Sequence, residues 1–193
     1  MKEIVMLKFE DIWNQIFQLH DKMLEKYQPD ILIGISRGGL VVTRFLSDIM
    51  NINNVAILGV GFYTGINETA KTPVITQELC IDMKNKKILL VDDVADTGIS
   101  LKFASEYLLK KTPKELKIAT IHYKPQSIVK PDFYNEETTK WIVYPWEYLE
   151  FSRFYYKKKQ NQDFSRKEIL DQLLLLGLPK IISEIIEKEF NEK

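Results

Sequence analysis

The stretch "KILLVDDVADTGISL", Lys87 to Leu101, decides the fold. Its first half, "KILLV", is a continuous apolar run of strand length. A strand apolar at successive positions is buried on both faces, as in a parallel sheet covered by helices. The second half changes character. Asp92, Asp93 and Asp96 put three carboxylates within five residues, and Thr97, Gly98 and Ser100 come next. Like charges this close repel, so a compensating partner is expected: a metal, a polyol or an array of backbone amides. In an open α/β sheet, ligands bind beyond the carboxyl ends of the strands, where "KILLV" delivers Asp92 and Asp93. "ADTGIS" then reads as a turn into a helix whose first amides would cradle an anion. Gly98 permits close backbone approach, and the hydroxyls of Thr97 and Ser100 add donors. Acceptors suited to hydroxyls or a metal stand beside donors suited to a phosphate, and a ribose 5-phosphate carries both kinds of group.

A blander reading of the same stretch is a solvated acidic turn that caps a helix. Phosphoacceptor receiver domains also have paired aspartates. There they come after the first strand, whereas these come mid-chain.

Outward from this stretch the chain alternates strands and helices. Lys8 to Tyr27 has apolar residues near helical spacing, and Pro29 ends it. "DILIGI", Asp30 to Ile35, is a short strand, "SRGG" a turn, and "LVVTRFLSDIM" a helix. "VAILGVGFY" is a second strand, Thr64 to Pro73 a polar mobile loop, and "VITQELCI" an edge strand. After "KKILLV", Ser100 to Lys110 reads as a helix and "LKIATIHY" as another buried strand. The expected class is α/β, with a mainly parallel sheet flanked by helices. The texture changes after Trp146. "SRKEILDQLLLLGLPKIISEIIEKEF" is helical, with Ser165 and Glu168 in capping-box positions, Gly177 at a helix end and Pro179 in a first turn. The expected division is a sheet domain over residues 1–149 and a C-terminal helical subdomain over 150–193.

Composition narrows the function. Of 193 residues, 45% are hydrophobic and 28% charged, as in ordinary globular proteins. Lys+Arg and Asp+Glu both number 27, so no net charge recruits nucleic acid or an anionic membrane. A helix-turn-helix reading of the tail meets Glu184, Glu187, Glu189 and Glu192, the wrong sign for a phosphate backbone. No apolar run approaches the ~20 residues of a membrane span. Cys80 is the single cysteine, which fits a reducing interior, and the N-terminus lacks a signal-peptide core. The expected location is cytoplasmic.

An apolar strand with "VDDVADTGIS" after it resembles the phosphoribosyl-pyrophosphate signature of type I phosphoribosyltransferases. Three further segments match that family in order. "GISRGGL" looks like its pyrophosphate loop, with Ser36, Arg37 and Gly38 at the positions that meet the diphosphate. Read alone, it is a Gly-rich strand-helix turn. "FYTGINETAKTP" sits where the family has a flexible hood that excludes water and later releases product. "IHYKP" and "KWIVYPWE" resemble the base-recognition segments of the 6-oxopurine enzymes. The resemblance covers roughly Val5 to Glu147.

The resemblance implies the type I phosphoribosyltransferase fold and an activity that joins a free purine base to phosphoribosyl pyrophosphate (PRPP). The products it implies are a purine nucleoside monophosphate and pyrophosphate. It makes Mg²⁺ the expected cofactor, contacted by Asp92 and Asp93 directly or through water, with Glu147 as a further ligand. By the same likeness, Asp92 and Asp93 should hold the ribose diol. The loop Ala95, Asp96, Thr97, Gly98, Ile99 and Ser100 should hold the 5′-phosphate. Ser36, Arg37 and Gly38 should hold the pyrophosphate, with a cis peptide at Ser36–Arg37. Asp96 should accept or relay the proton from the purine's imidazole ring. Lys124 falls where the family sets a lysine against the 6-oxo group, Trp141 where it stacks an aromatic on the base, and Ile142 supplies backbone contacts. The helical tail resembles a crenarchaeal adenine phosphoribosyltransferase lineage and makes adenine the expected base, with a hypoxanthine, guanine or xanthine enzyme as the alternative. Lys124 draws it toward hypoxanthine, guanine or xanthine. A homodimer is expected. The rival class is a non-catalytic regulator that senses PRPP.

Overall fold

The computed structural model describes residues 3–64 and 71–190. They fall into two compact units: Trp13–Thr139, and Met1–Ile12 together with Lys140–Lys193. The expected boundary near Glu150 differs from this division.

The larger unit is built on a six-stranded sheet. In chain order its strands are β2 (Ile31–Ser36), β3 (Val55–Thr64), β4 (Lys71–Gln77), β5 (Lys87–Ala95), β6 (Glu115–Tyr123) and β7 (Phe133–Glu137). Their spatial order is β4-β3-β2-β5-β6-β7, and only the β3–β4 pair is antiparallel. Helices α1 (Phe9–Met23), α2 (Gly38–Met50) and α3 (Ile99–Leu109) accompany it, with the start of α1 in the other unit. The period of two divides the strand residues between faces. Ile31, Ile33, Ile35, Ile88 and Leu90 pack with Leu101, Ala104 and Leu108 of α3. On the opposite face Gly34 lies under Thr43 and Gly39 of α2, so that helix approaches the strand closely. Burial on both faces is what the unbroken apolar runs foretold.

From β2 the chain winds outward through α2 to β3; from β5 it winds the other way through α3 to β6. The sheet order therefore reverses between β2 and β5, which pair from Ile31↔Ile88 to Gly34↔Val91. The carboxyl ends of these two strands flank the crevice where open α/β sheets bind ligands. One end carries Ser36 to Gly38, and the other carries Asp92 to Ser100.

The acidic pair does not lie in a loop beyond the strand. Strand β5 continues to Ala95, because Asp92, Val94 and Ala95 still pair with Thr120, His122 and Tyr123 of β6. The central residues of the expected hood lie outside the described residues. Its flanks are β3 and β4, in register at Gly61↔Val74 and Phe62↔Pro73.

The smaller unit pairs β1 (Ile4–Met6) in parallel with β8 (Trp141–Val143), in register from Ile4↔Trp141 to Met6↔Val143. Its helices are α4 (Tyr148–Gln160), α5 (Arg166–Leu175) and α6 (Lys180–Glu189). Ser165 caps α5 in a reciprocal capping box with Glu168. Gly177, with φ of +97°, lies just past the end of that helix, and Pro179 is the N-cap of α6, one position before the first turn expected of it. The apolar stripes of the three helices meet: Phe151, Tyr155, Tyr156, Ile169, Leu173, Leu178 and Ile186 form one core with Val143. Short helices like α5 and α6 are marginal alone, so this shared core holds them. Arg153 adds a bidentate ion pair to Glu189, tying α4 to α6.

Candidate active site

The structure separates the three clustered carboxylates and gives each its own surroundings. Successive side chains of β5 leave opposite faces of the sheet. Asp93 is on the α2 face, 6% exposed, with its carboxylate packed against Gly38, the first residue of α2. Any Cβ at Gly38 would overlap that carboxylate, so only glycine allows the approach. The unpaired N–H groups at a helix start favour negative charge. Asp92 is half-buried, and its Oδ1 accepts the backbone N–H of Asp93 at 3.0 Å. Asp96 lies past the strand end and is exposed. Its Oδ2 is 3.1 Å from Lys124 Nζ, and its Oδ1 accepts a hydrogen bond from Gln126 Nε2 at 2.9 Å. The repulsion raised by the sequence is thus met by a helix start, a backbone amide and an ion pair.

The turn from β5 into α3 is fixed by a second loop. Gly98 has φ of +78°, a conformation that costs an L side chain about 1–2 kcal/mol. A Cβ there would also lie 2.8 Å from the Val129 amide and 3.1 Å from that of Ile128. Ile128 donates its N–H to the Thr97 carbonyl at 3.0 Å, and Lys124 donates its own to the Ala95 carbonyl at 3.0 Å. Residues 124–129 therefore clamp the turn from β5 into α3. At the front, Thr97 Oγ1 accepts the Ile99 N–H at 3.4 Å and keeps its own proton to donate. Thr97 and Ile99 are exposed and Ser100 is half-buried, so the start of α3 faces outward.

Across the crevice, the Ser36–Arg37 peptide bond is cis. Arg37 is the exposed N-cap of α2, next to the Gly38–Asp93 contact.

Lys124, beside Asp96, has only 8% of its side chain accessible. Its neighbour His122 is 2% exposed, and burial pushes that imidazole down to about 4, with the Lys124 charge adding to the effect. Glu136 approaches His122 Nε2 at 3.9 Å, but its side chain is 57% exposed, and a solvated carboxylate does little at that range. An unfolded chain takes up this proton near pH 6.5, while the folded protein resists until about 4. Stability should therefore fall as pH falls through that window, by at most about 3 kcal/mol. Denaturant midpoints between pH 7 and 4 should fall less steeply in His122→Gln; an unchanged slope would acquit this histidine.

The sites expected at Trp141, Ile142 and Glu147 belong to the smaller unit. Trp141 is 38% exposed, and Ile142 is buried. Strand β8 has β1 on one side and no strand on the other among the described residues, so backbone groups remain for other contacts. Glu147 ends a short 3₁₀ turn, Pro145–Glu147, just before α4. Sequence reasoning missed Gln126 and the clamp it belongs to. A lone glutamine two residues after Lys124 carries no pattern; its role is visible only once β6 returns it beside Asp96.

The switch point of a parallel sheet thus carries a helix start and an acidic strand end at the carboxyl ends of its central strands. Residues 7–151 match the phosphoribosyl transferase domain model. The chain belongs to that family and is a phosphoribosyltransferase with the type I fold. It is 32% identical over 130 residues to a hypoxanthine-guanine phosphoribosyltransferase of Aquifex aeolicus, spanning 61% of this chain and 71% of that protein. It is 27% identical over 143 residues to a xanthine-guanine phosphoribosyltransferase of Idiomarina loihiensis, spanning 73% and 85%. The crystal structure of a purine phosphoribosyltransferase from Pyrococcus horikoshii superposes with a TM-score of 0.69 at 39% identity, covering 75% of this chain and 93% of that one.

Proposed function

We propose that this enzyme makes purine nucleoside 5′-monophosphates from PRPP and a 6-oxopurine: hypoxanthine, guanine or xanthine. Lys124 carries this reading. A nearly buried ammonium at the carboxyl edge of the sheet presents hydrogen-bond donors only, which suits a 6-oxo oxygen and not a 6-amino group. The relatives named for 6-oxopurines support the same choice. The pull toward adenine came from the helical tail alone and finds no support in these relatives.

The amides at the start of α3 and the Thr97 hydroxyl bind the 5′-phosphate. Asp92 and Asp93 hold the ribose hydroxyls. Arg37 and the amides beside it stabilise the departing diphosphate. Trp141 stacks on the base. Asp92 and Asp93 also suit Mg²⁺, which takes hard oxygen ligands and is usually held by one or two carboxylates plus substrate phosphates. When bound, Mg²⁺ supplies charge neutralisation on the diphosphate. A bond forms between a purine imidazole nitrogen and C1 of the ribose, and the bond from C1 to the diphosphate oxygen breaks. Asp96 takes the proton that the nitrogen loses. Lys124 has three N–H donors, so it can keep Asp96 in place while meeting the base oxygen. Positioning two reactants accounts for much of the rate.

Pyrophosphate release measured with adenine, hypoxanthine, guanine and xanthine tests this directly. Turnover with 6-oxopurines and little with adenine is expected. Preference for adenine would overturn the base assignment, and no release with any of the four would overturn the reaction.

A further inference from the structure

Helix α2 seats on the sheet through its buried face, Gly39, Val42, Thr43 and Leu46. Two of these contacts are closer than side chains on both partners would allow. A Cβ at Gly39 would overlap the Val91 carbonyl oxygen and lie 3.2 Å from Asp92 Cα. The first turn of α2 therefore rests on the backbone of β5, beside the start of the acidic pair. A Cβ at Gly34, in β2, would overlap Thr43 Oγ1 and lie 3.0 Å from the Gly39 carbonyl oxygen. Thr43 is fully buried, and its hydroxyl has no hydrogen-bond partner among the described residues, so it acts here by its volume. A β-branched side chain on a helix is stiff, and the Gly39 carbonyl is backbone, so neither yields easily to an added methyl. The room left by Gly34 is thus taken up by Thr43, and a tight interior passes any misfit on to its neighbours.

We propose that Gly34 and Thr43 are a positioning pair for the diphosphate end of PRPP. Their fit sets how closely the first turn of α2 approaches β5, and with it the span from Arg37 and Gly38 to Asp92 and Asp93. This rests on the proposed roles of Ser36 to Gly38 at the diphosphate and of the acidic pair at the ribose. PRPP must reach both groups at once, so a lifted helix loses contacts to it. A nucleoside monophosphate has the same ribose 5-phosphate and no diphosphate. Its phosphate turn is held by β6 and by residues 124–129, away from the Gly34–Thr43 contact.

Calorimetric titration of the full-length protein with PRPP and with inosine monophosphate, both in Mg²⁺, tests this. Gly34→Ala should weaken PRPP binding about tenfold, the scale of overpacking a full interior, and change monophosphate binding less than twofold. Gly34→Ala combined with Thr43→Ala removes the overlapping hydroxyl and should restore most of the PRPP affinity. If Gly34→Ala does not fold, Thr43→Ile crowds the same contact from the helix side and should shift the two affinities in the same unequal way. Equal losses for both ligands, no loss for either, or no recovery in the double variant would overturn the positioning pair. If the unaltered protein binds the monophosphate and not PRPP, the diphosphate reading of the loop fails, and the pair falls with it.

Discussion

Replacing Asp92 and Asp93 together by asparagine should weaken PRPP binding by about a hundredfold or more while the protein stays folded. Strand β5 pairs with β6 as far as Ala95, so both carboxylates are held by a sheet and not by a loop. Asparagine keeps the shape but loses the charge and one acceptor. Hydrogen bonds to charged groups contribute roughly 1.5–3 kcal/mol each, and two such losses multiply to ~10²-fold at least. The fold should tolerate the change. The charge of Asp93 at the start of α2 is worth about 0.3–1 kcal/mol, and the residue at 92 can still accept the amide of residue 93 through its side-chain oxygen. Calorimetric titration with PRPP in Mg²⁺, alongside a melting curve, separates the two effects. Unchanged affinity would remove both residues from the ribose and metal contacts.

The part of the site built on β5 was legible because its chemistry is written consecutively. An apolar run, paired carboxylates and a Thr-Gly turn need no long-range contact to be recognised, and each has a local physical job. The central strands were legible for the same reason: burial on both faces leaves an unbroken apolar run. What escaped is everything specified at long range. β1 and β8 are three residues each, too short for any period, and they exist because Ile4 to Met6 pairs with Trp141 to Val143. That pairing draws the first residues of the chain into the C-terminal unit and puts the division at Lys140, ahead of the change in composition near Glu150. β7, Phe133–Glu137, ends in charged residues, since an edge strand need not be apolar on both faces. Gln126 was invisible for a related reason, as its partner Asp96 is thirty residues upstream.

That partnership shapes the second large effect, the loss of Asp96. Asp96→Asn should lower turnover by ~10²-fold or more, the contribution expected of a positioned general base. Affinity for PRPP should change little, because the amides proposed to bind its phosphate belong to the backbone of a turn that Ile128, Lys124 and Gly98 fix independently. The asparagine oxygen can still accept from either Lys124 or Gln126, though not with the reach of two carboxylate oxygens. Lys124 then keeps its charge in a setting where only 8% of its side chain meets water. A buried ammonium without its counter-charge is unfavourable, which should add a small loss of stability. This makes the kinetic split the decisive measurement. If Asp96 takes the proton, kcat falls with every 6-oxopurine while the KM for the base changes little. If Asp96 only anchors Lys124, the KM for the base rises and kcat survives. A variant with normal turnover and normal KM would show that the carboxylate does no more than shape the turn between β5 and α3.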